Sequence, residues 1–125
     1  MMDVTDSIKR LRWTVEHHFL HIQAQHDFMR AWAIQFELAY TDFRVIQMAL
    51  QLSGEEQHPL LGEFAKAYDD VYQYEYAFVA GGLAGFNDKF GGHMDDYQHA
   101  ESKMLGLIDR VDALPALHTF GGVMR

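Results

Sequence analysis

Apolar residues recur at heptad spacing from the start of the chain to Leu50. One column reads Ile8, Val15, Ile22, Met29, Phe36, Phe43 and Leu50. The second, offset by three and four, reads Val4, Leu11, His18, Gln25, Trp32, Ala39 and Ile46. No glycine or proline interrupts it before Ser53. Such a pattern predicts a helix, about residues 4–52, whose seam packs on partner helices. Thr5 and Asp6 supply the N-cap. Unbroken, this helix would be about 70 Å long at 1.5 Å per residue. A compact domain of this size is only about 35 Å across. The helix therefore breaks, or it projects and pairs with a second copy. Gln25-His26-Asp27 and Thr41-Asp42 are the two conceivable break points. Continuity of phase across both favours an unbroken helix.

The two halves of the run differ. Up to Gln25 the polar faces are well populated. From Phe28 to Leu52 apolar residues occupy nearly every face, including Trp32, Ile34, Leu38, Tyr40, Val45 and Met48. A helix apolar all round is surrounded by others, so this half is expected to be the central core helix. Ser53-Gly54 ends it, with Gly54 in the left-handed cap position. Residues 55–58 then form a polar loop.

Pro59 fits a first helical turn. A second helix runs over about residues 59–80, with Leu61, Phe64, Tyr68, Val71, Tyr72, Tyr76 and Val79 at helical spacing. Gly81-Gly82 stops it, and residues 81–92 read as a glycine-rich connection. A last helix spans about residues 93–114, until Pro115, and residues 115–125 form a loose tail. No strand alternation or internal repeat is present. The expected fold is all-α: one domain, residues 1–125, a long N-terminal helix bundled with two further helices and dimeric along its seam.

Composition narrows the function. Hydrophobic residues make up 49% of the 125 residues, which supports a packed core. There are no cysteines, which excludes disulfides, thiolate metal sites and cysteine catalysis and fits a reducing cytoplasm, the expected location. The N-terminus does not read as a signal peptide, because acids come early and no apolar core segment follows. Charges interrupt the most apolar stretch, so a transmembrane span is not expected. The net charge of −8 disfavours nucleic acid and anionic membrane as direct partners and allows a basic protein surface.

Histidine is the one chemically suggestive residue type, with eight in the chain. His17 and His21 share a helical face at i, i+4, a spacing that can hold a metal ion. His93, Asp96 and His99 share another. Bundles that bind di-iron use paired Glu-x-x-His motifs, and Asp96-x-x-His99 is the nearest approach. These five residues are weak metal candidates, and no cofactor is expected. His18 and Gln25 fall in the seam itself, where a polar residue can specify register at a cost in stability. His18 could instead face an acid on a partner chain.

Tyr68, Tyr72 and Tyr76 form one stripe, expected to build core more than recognition surface. Tyr74 and Glu75 lie off it and are the expected exposed contacts. Acids concentrate in the second half, against Lys66, Lys89, Lys103 and Arg110. Catalytic signatures are lacking: there is no nucleophile elbow and no phosphate-binding glycine loop after a strand. The reading is a non-enzymatic acidic interaction protein, an adaptor, inhibitor or neutraliser of a basic protein surface. Asp69, Asp70, Tyr74 and Glu75 would contact the partner. Ile8, Leu11, Val15, His18, Ile22 and Gln25 would carry homodimerisation. The alternative is a His/carboxylate metal-binding helical bundle.

Overall fold

A computed structural model describes residues 4–27, 29–53 and 58–118. They form four helices: α1 (Thr5–Gln23), α2 (Arg30–Leu52), α3 (His58–Phe90) and α4 (Met94–Asp112), followed by a short 3-10 turn, Pro115–Leu117. Cross-helix pairs set the directions. Arg10 meets Asp42 and His18 meets Trp32, so α1 and α2 run antiparallel. Phe43 meets Phe64 while Phe36 meets Tyr72, so α2 and α3 do too. Glu63–Arg110 and Tyr74–Tyr97 orient α4 against α3. The result is an up-down-up-down bundle. Each helix packs on two neighbours, and α1 faces α3 more weakly across the centre.

The expected 4–52 helix is two helices. It breaks at the first of the two conceivable places. Gln25 adopts φ 60°, the left-handed region that terminates a helix. Its backbone N–H donates to Ile22 O, and its side-chain amide does the same at 3.1 Å. Across the turn, His21 Nε2 lies 3.1 Å from Asp27 O. The break lets both heptad halves bury against one core instead of projecting beyond it. Ile8, Leu11, Val15, His18 and Ile22 line that core from α1, and Phe36, Ala39, Phe43, Ile46 and Leu50 line it from α2. Thr41-Asp42 stays helical.

Three other expectations change. α2 is not the central helix: Ile34, Leu38, Tyr40 and Met48 are exposed on its outer side. The connection at 81–92 is largely helical. α3 continues to Phe90 through a kink at Gly82 (φ 70°, ψ −169°), a backbone conformation open essentially only to glycine. Beyond the kink, Phe86 joins Phe19, Ile22, Tyr74, Phe78 and Tyr97 in a small aromatic core. The Asn87 amide there donates to the Gln25 side chain at 2.9 Å, tying this segment to the α1–α2 turn. The tail is docked as far as His118. Leu117 is buried, Val4 N–H donates to Leu117 O, and the His118 ring bridges Thr5 and Asp112. Of the expected 55–58 loop, His58 already belongs to α3; residues 1–3, Phe28, the Gly54 cap with residues 55–57, and residues 119–125 lie outside the described residues.

Candidate functional site

Two features of the bundle go beyond ordinary packing. The first is a buried polar layer between the main core and the aromatic one. His18 of α1 and Glu75 of α3 face each other with Nδ1 to Oε1 at 3.8 Å, and both side chains are fully buried. Neither makes a hydrogen bond among the described residues. The edge of the His18 ring packs on Trp32 at 4.8 Å between centroids. The Tyr97 hydroxyl is likewise buried without a hydrogen bond among the described residues. Burial, reinforced by the negative charge of Glu75, pushes the Tyr97 phenol well above its ordinary range. Burial also raises Tyr68 and, more modestly, Tyr74. On α4, burial and the neighbouring Glu16 raise the Glu101 carboxyl. Native bundles leave few such groups unpaired, so this layer is a point of high energetic stakes.

The second feature is the outer face of α2. Ala31, Ile34, Leu38, Thr41, Val45, Met48 and Leu52 follow a three-four spacing, a second heptad alongside the one that lines the core. Ile34 is 58% exposed, Leu38 53%, Met48 50% and Leu52 72%. The only hydroxyl in the row is satisfied internally, since Thr41 Oγ1 donates to Glu37 O at 3.2 Å. The row could therefore be covered without stranding a polar group. Next to it, a groove of about 180 Å³ between α1 and α2 is lined by Arg10, Trp13, Thr14, Gln35, Leu38 and Asp42. Trp13, 43% exposed, is stacked against His17. Arg10 holds the buried Asp42 carboxylate through two hydrogen bonds, 2.9 and 3.1 Å, and this contact raises the guanidinium above its ordinary range.

The expected contact residues divide. Tyr74 and Glu75 are buried, not exposed, because the inward face of α3 is Phe64, Ala67, Tyr68, Val71, Tyr74, Glu75 and Phe78. Of the tyrosine stripe, Tyr68 is buried in the core and stacked on Phe43, while Tyr72 and Tyr76 run along the α2 edge, Tyr72 stacking on Tyr76 and meeting Tyr40 edge-on, with Tyr76 exposed. Asp69 is exposed and Asp70 partly so. Many acids are already matched: Asp70 by Lys66, Glu63 by Arg110, and Asp109 and Asp112 by Arg12. Of the expected self-association residues, Ile8, Leu11, Val15, His18 and Ile22 are spent on the chain's own core, and Gln25 sits in the turn. The acid that faces His18 is Glu75 of the same chain.

The metal candidates are dispersed. His17 Nδ1 bonds Trp13 O at 2.8 Å, while His21 packs on Trp32 and His26. His93 lies 3.5 Å from Asp96. Asp96 and His99 share an α3–α4 groove with Asp70, Tyr74 and Lys103, whose ammonium competes with any cation there. Among the described residues, no three His, Asp or Glu side chains converge as a metal site. None of the described helices is long and apolar enough to cross a membrane.

The α2 outer row was missed from the sequence although its spacing is visible there. It overlaps the core heptad, and apolarity on every face read as burial on every face. Comparison with protein-family models, with curated proteins and with solved structures gives no match, so function is argued from this geometry.

Proposed function

We propose that this chain is a non-enzymatic protein–protein interaction module that docks through the outer face of α2. The observation that supports this reading is the exposed row from Ile34 to Leu52. Singly exposed leucines need no explanation, but four large apolar side chains exposed on one face of one helix do. Its exposed side chains together with Trp13 amount to roughly 500 Å² of apolar surface, near the upper end of what monomers leave open. Trp13 is of the type that anchors interfaces, and it shares a groove with Leu38 and Arg10. The acidic second half plays a lesser part, because Glu63, Asp70, Asp109 and Asp112 are already paired within the chain. It would steer association with a basic partner more than hold it.

Site-specific photo-crosslinking tests the reading. A photoreactive side chain at Leu38 should capture a protein chain, whereas the same group at the exposed Ser102 of α4 should not. Equal capture at both positions, or none at Leu38, would reject the outer face of α2 as a docking surface.

A further inference from the structure

We infer that the occupant of the α2 outer face is a second copy of this chain, with the two α2 helices antiparallel about Thr41. This rests on the docking reading above and adds the partner and its orientation. The inference starts from the charges beside the row. Arg30, Glu37, Arg44 and Gln51 form the column next to Ile34, Thr41 and Met48, and all four are exposed. Neither Glu37 nor Arg44 forms an ion pair among the described residues. In a helical pair these flanking positions set partner choice and orientation.

The two orientations differ sharply. In an antiparallel pair centred near Thr41, Glu37 of each chain lies beside Arg44 of the other, and Arg30 lies beside Gln51. No like charges meet, and Ile34 packs near Met48. In a parallel, in-register pair, Glu37 faces Asp42, which is buried and already held by Arg10, and Arg44 faces Ala49, so neither charge gains an opposite partner. On the opposite flank of the antiparallel pair, Asp42 does not meet its mate as a bare acid. It is turned into the α1–α2 groove and held there by Arg10.

The seam can also be closed without a polar penalty. Thr41, the residue on the two-fold axis, has its hydroxyl bonded to its own helix. Covering both rows would bury on the order of 1,000 Å², the lower end of specific interfaces before the Trp13 flank and polar rim are added. A reversible dimer follows, not an obligate one. Each subunit has its own complete core, so the monomer stays folded when the pair separates.

Because the chain has no cysteine, orientation can be read by disulfide trapping in the full-length protein. An Ile34→Cys chain mixed with a Met48→Cys chain should give a mixed disulfide dimer, well above what Ile34→Cys gives alone. Sedimentation of the untagged chain should show concentration-dependent dimerisation. Leu38→Asp with Met48→Asp should weaken it tenfold or more at unchanged helicity. Glu37→Arg or Arg44→Glu alone should weaken it, and the two together should restore it. Trapping mainly between two Ile34→Cys chains would overturn the antiparallel arrangement. Dimerisation indifferent to the two aspartates would overturn the seam. A chain that sediments as monomer at every concentration overturns the second copy as occupant. Capture of a different protein from Leu38 would then leave the docking reading standing, and capture of nothing would remove both.

Discussion

Replacing His18 with leucine should destabilise this protein, although leucine is the more apolar residue at a fully buried site. The reason is Glu75. Glu75 is fully buried, and the polar group that faces it is the His18 imidazole, 3.8 Å away; a buried carboxyl is costly unless such a partner stands beside it. Removing one partner keeps the cost and discards what offsets it. His18→Leu strands Glu75 near Tyr97, and Glu75→Leu strands His18 against Trp32. Each single variant should lose about 3–5 kcal/mol, a large share of the 5–15 kcal/mol that such a domain has. The double variant, with an apolar layer, should be neutral to more stable by about 1–4 kcal/mol. Urea unfolding followed by far-UV circular dichroism gives all four stabilities by linear extrapolation, with unchanged slopes confirming comparable transitions. The double-mutant cycle then isolates the coupling. Single effects that add to the double within about 0.5 kcal/mol would show that the two side chains do not act as a pair, and a His18→Leu variant as stable as the parent would refute the reasoning outright.

Other consequences follow from single residues. Gly82→Ala should cost about 1–3 kcal/mol, since φ 70° with extended ψ excludes a Cβ, whereas Gly81→Ala, with nothing within 4 Å of its added Cβ, should be neutral or stabilising by up to about 1 kcal/mol; equal melting temperatures for the two would contradict the kink. Burial and Glu16 raise the Glu101 carboxyl in the folded protein, so its contribution to stability is fully present below the unfolded value and is lost as pH rises through the folded one. Glu101→Gln should thus raise the melting temperature at neutral pH, with the gain fading below about pH 4; a gain independent of pH would assign the effect to something other than titration. Arg10→Ala leaves the Asp42 carboxylate buried without its two hydrogen bonds and should cost about 1–3 kcal/mol. Arg10→Lys should recover only part of that in the same denaturation assay, because an ammonium cannot reproduce the fork.

The sequence determines the helices because helix formation follows from periodicity, and periodicity is local. The columns Ile8–Val15–Ile22 and Phe36–Phe43–Leu50 do line the core, α4 begins where His93 suggests, and Pro115 lies just beyond its end. Glycine and polar signals were weaker guides. Gln25 ends α1 with neither glycine nor proline in the turn, by bonding back to Ile22 and across to Asn87, 62 residues away. The glycines at 81 and 82 only bend α3, because Phe86 gains a place in the aromatic core once the chain has turned. Which face of a helix turns inward is a non-local choice, made by the neighbours it meets. Tyr74 and Glu75 are buried and Tyr76 exposed because α3 faces α4 on one side and only the rim of α2 on the other. Likewise α2 carries two apolar rows, and nothing in its sequence tells which one meets α1 and α3. Only the packed bundle separates them: one row completes the core, and the other is left facing outward.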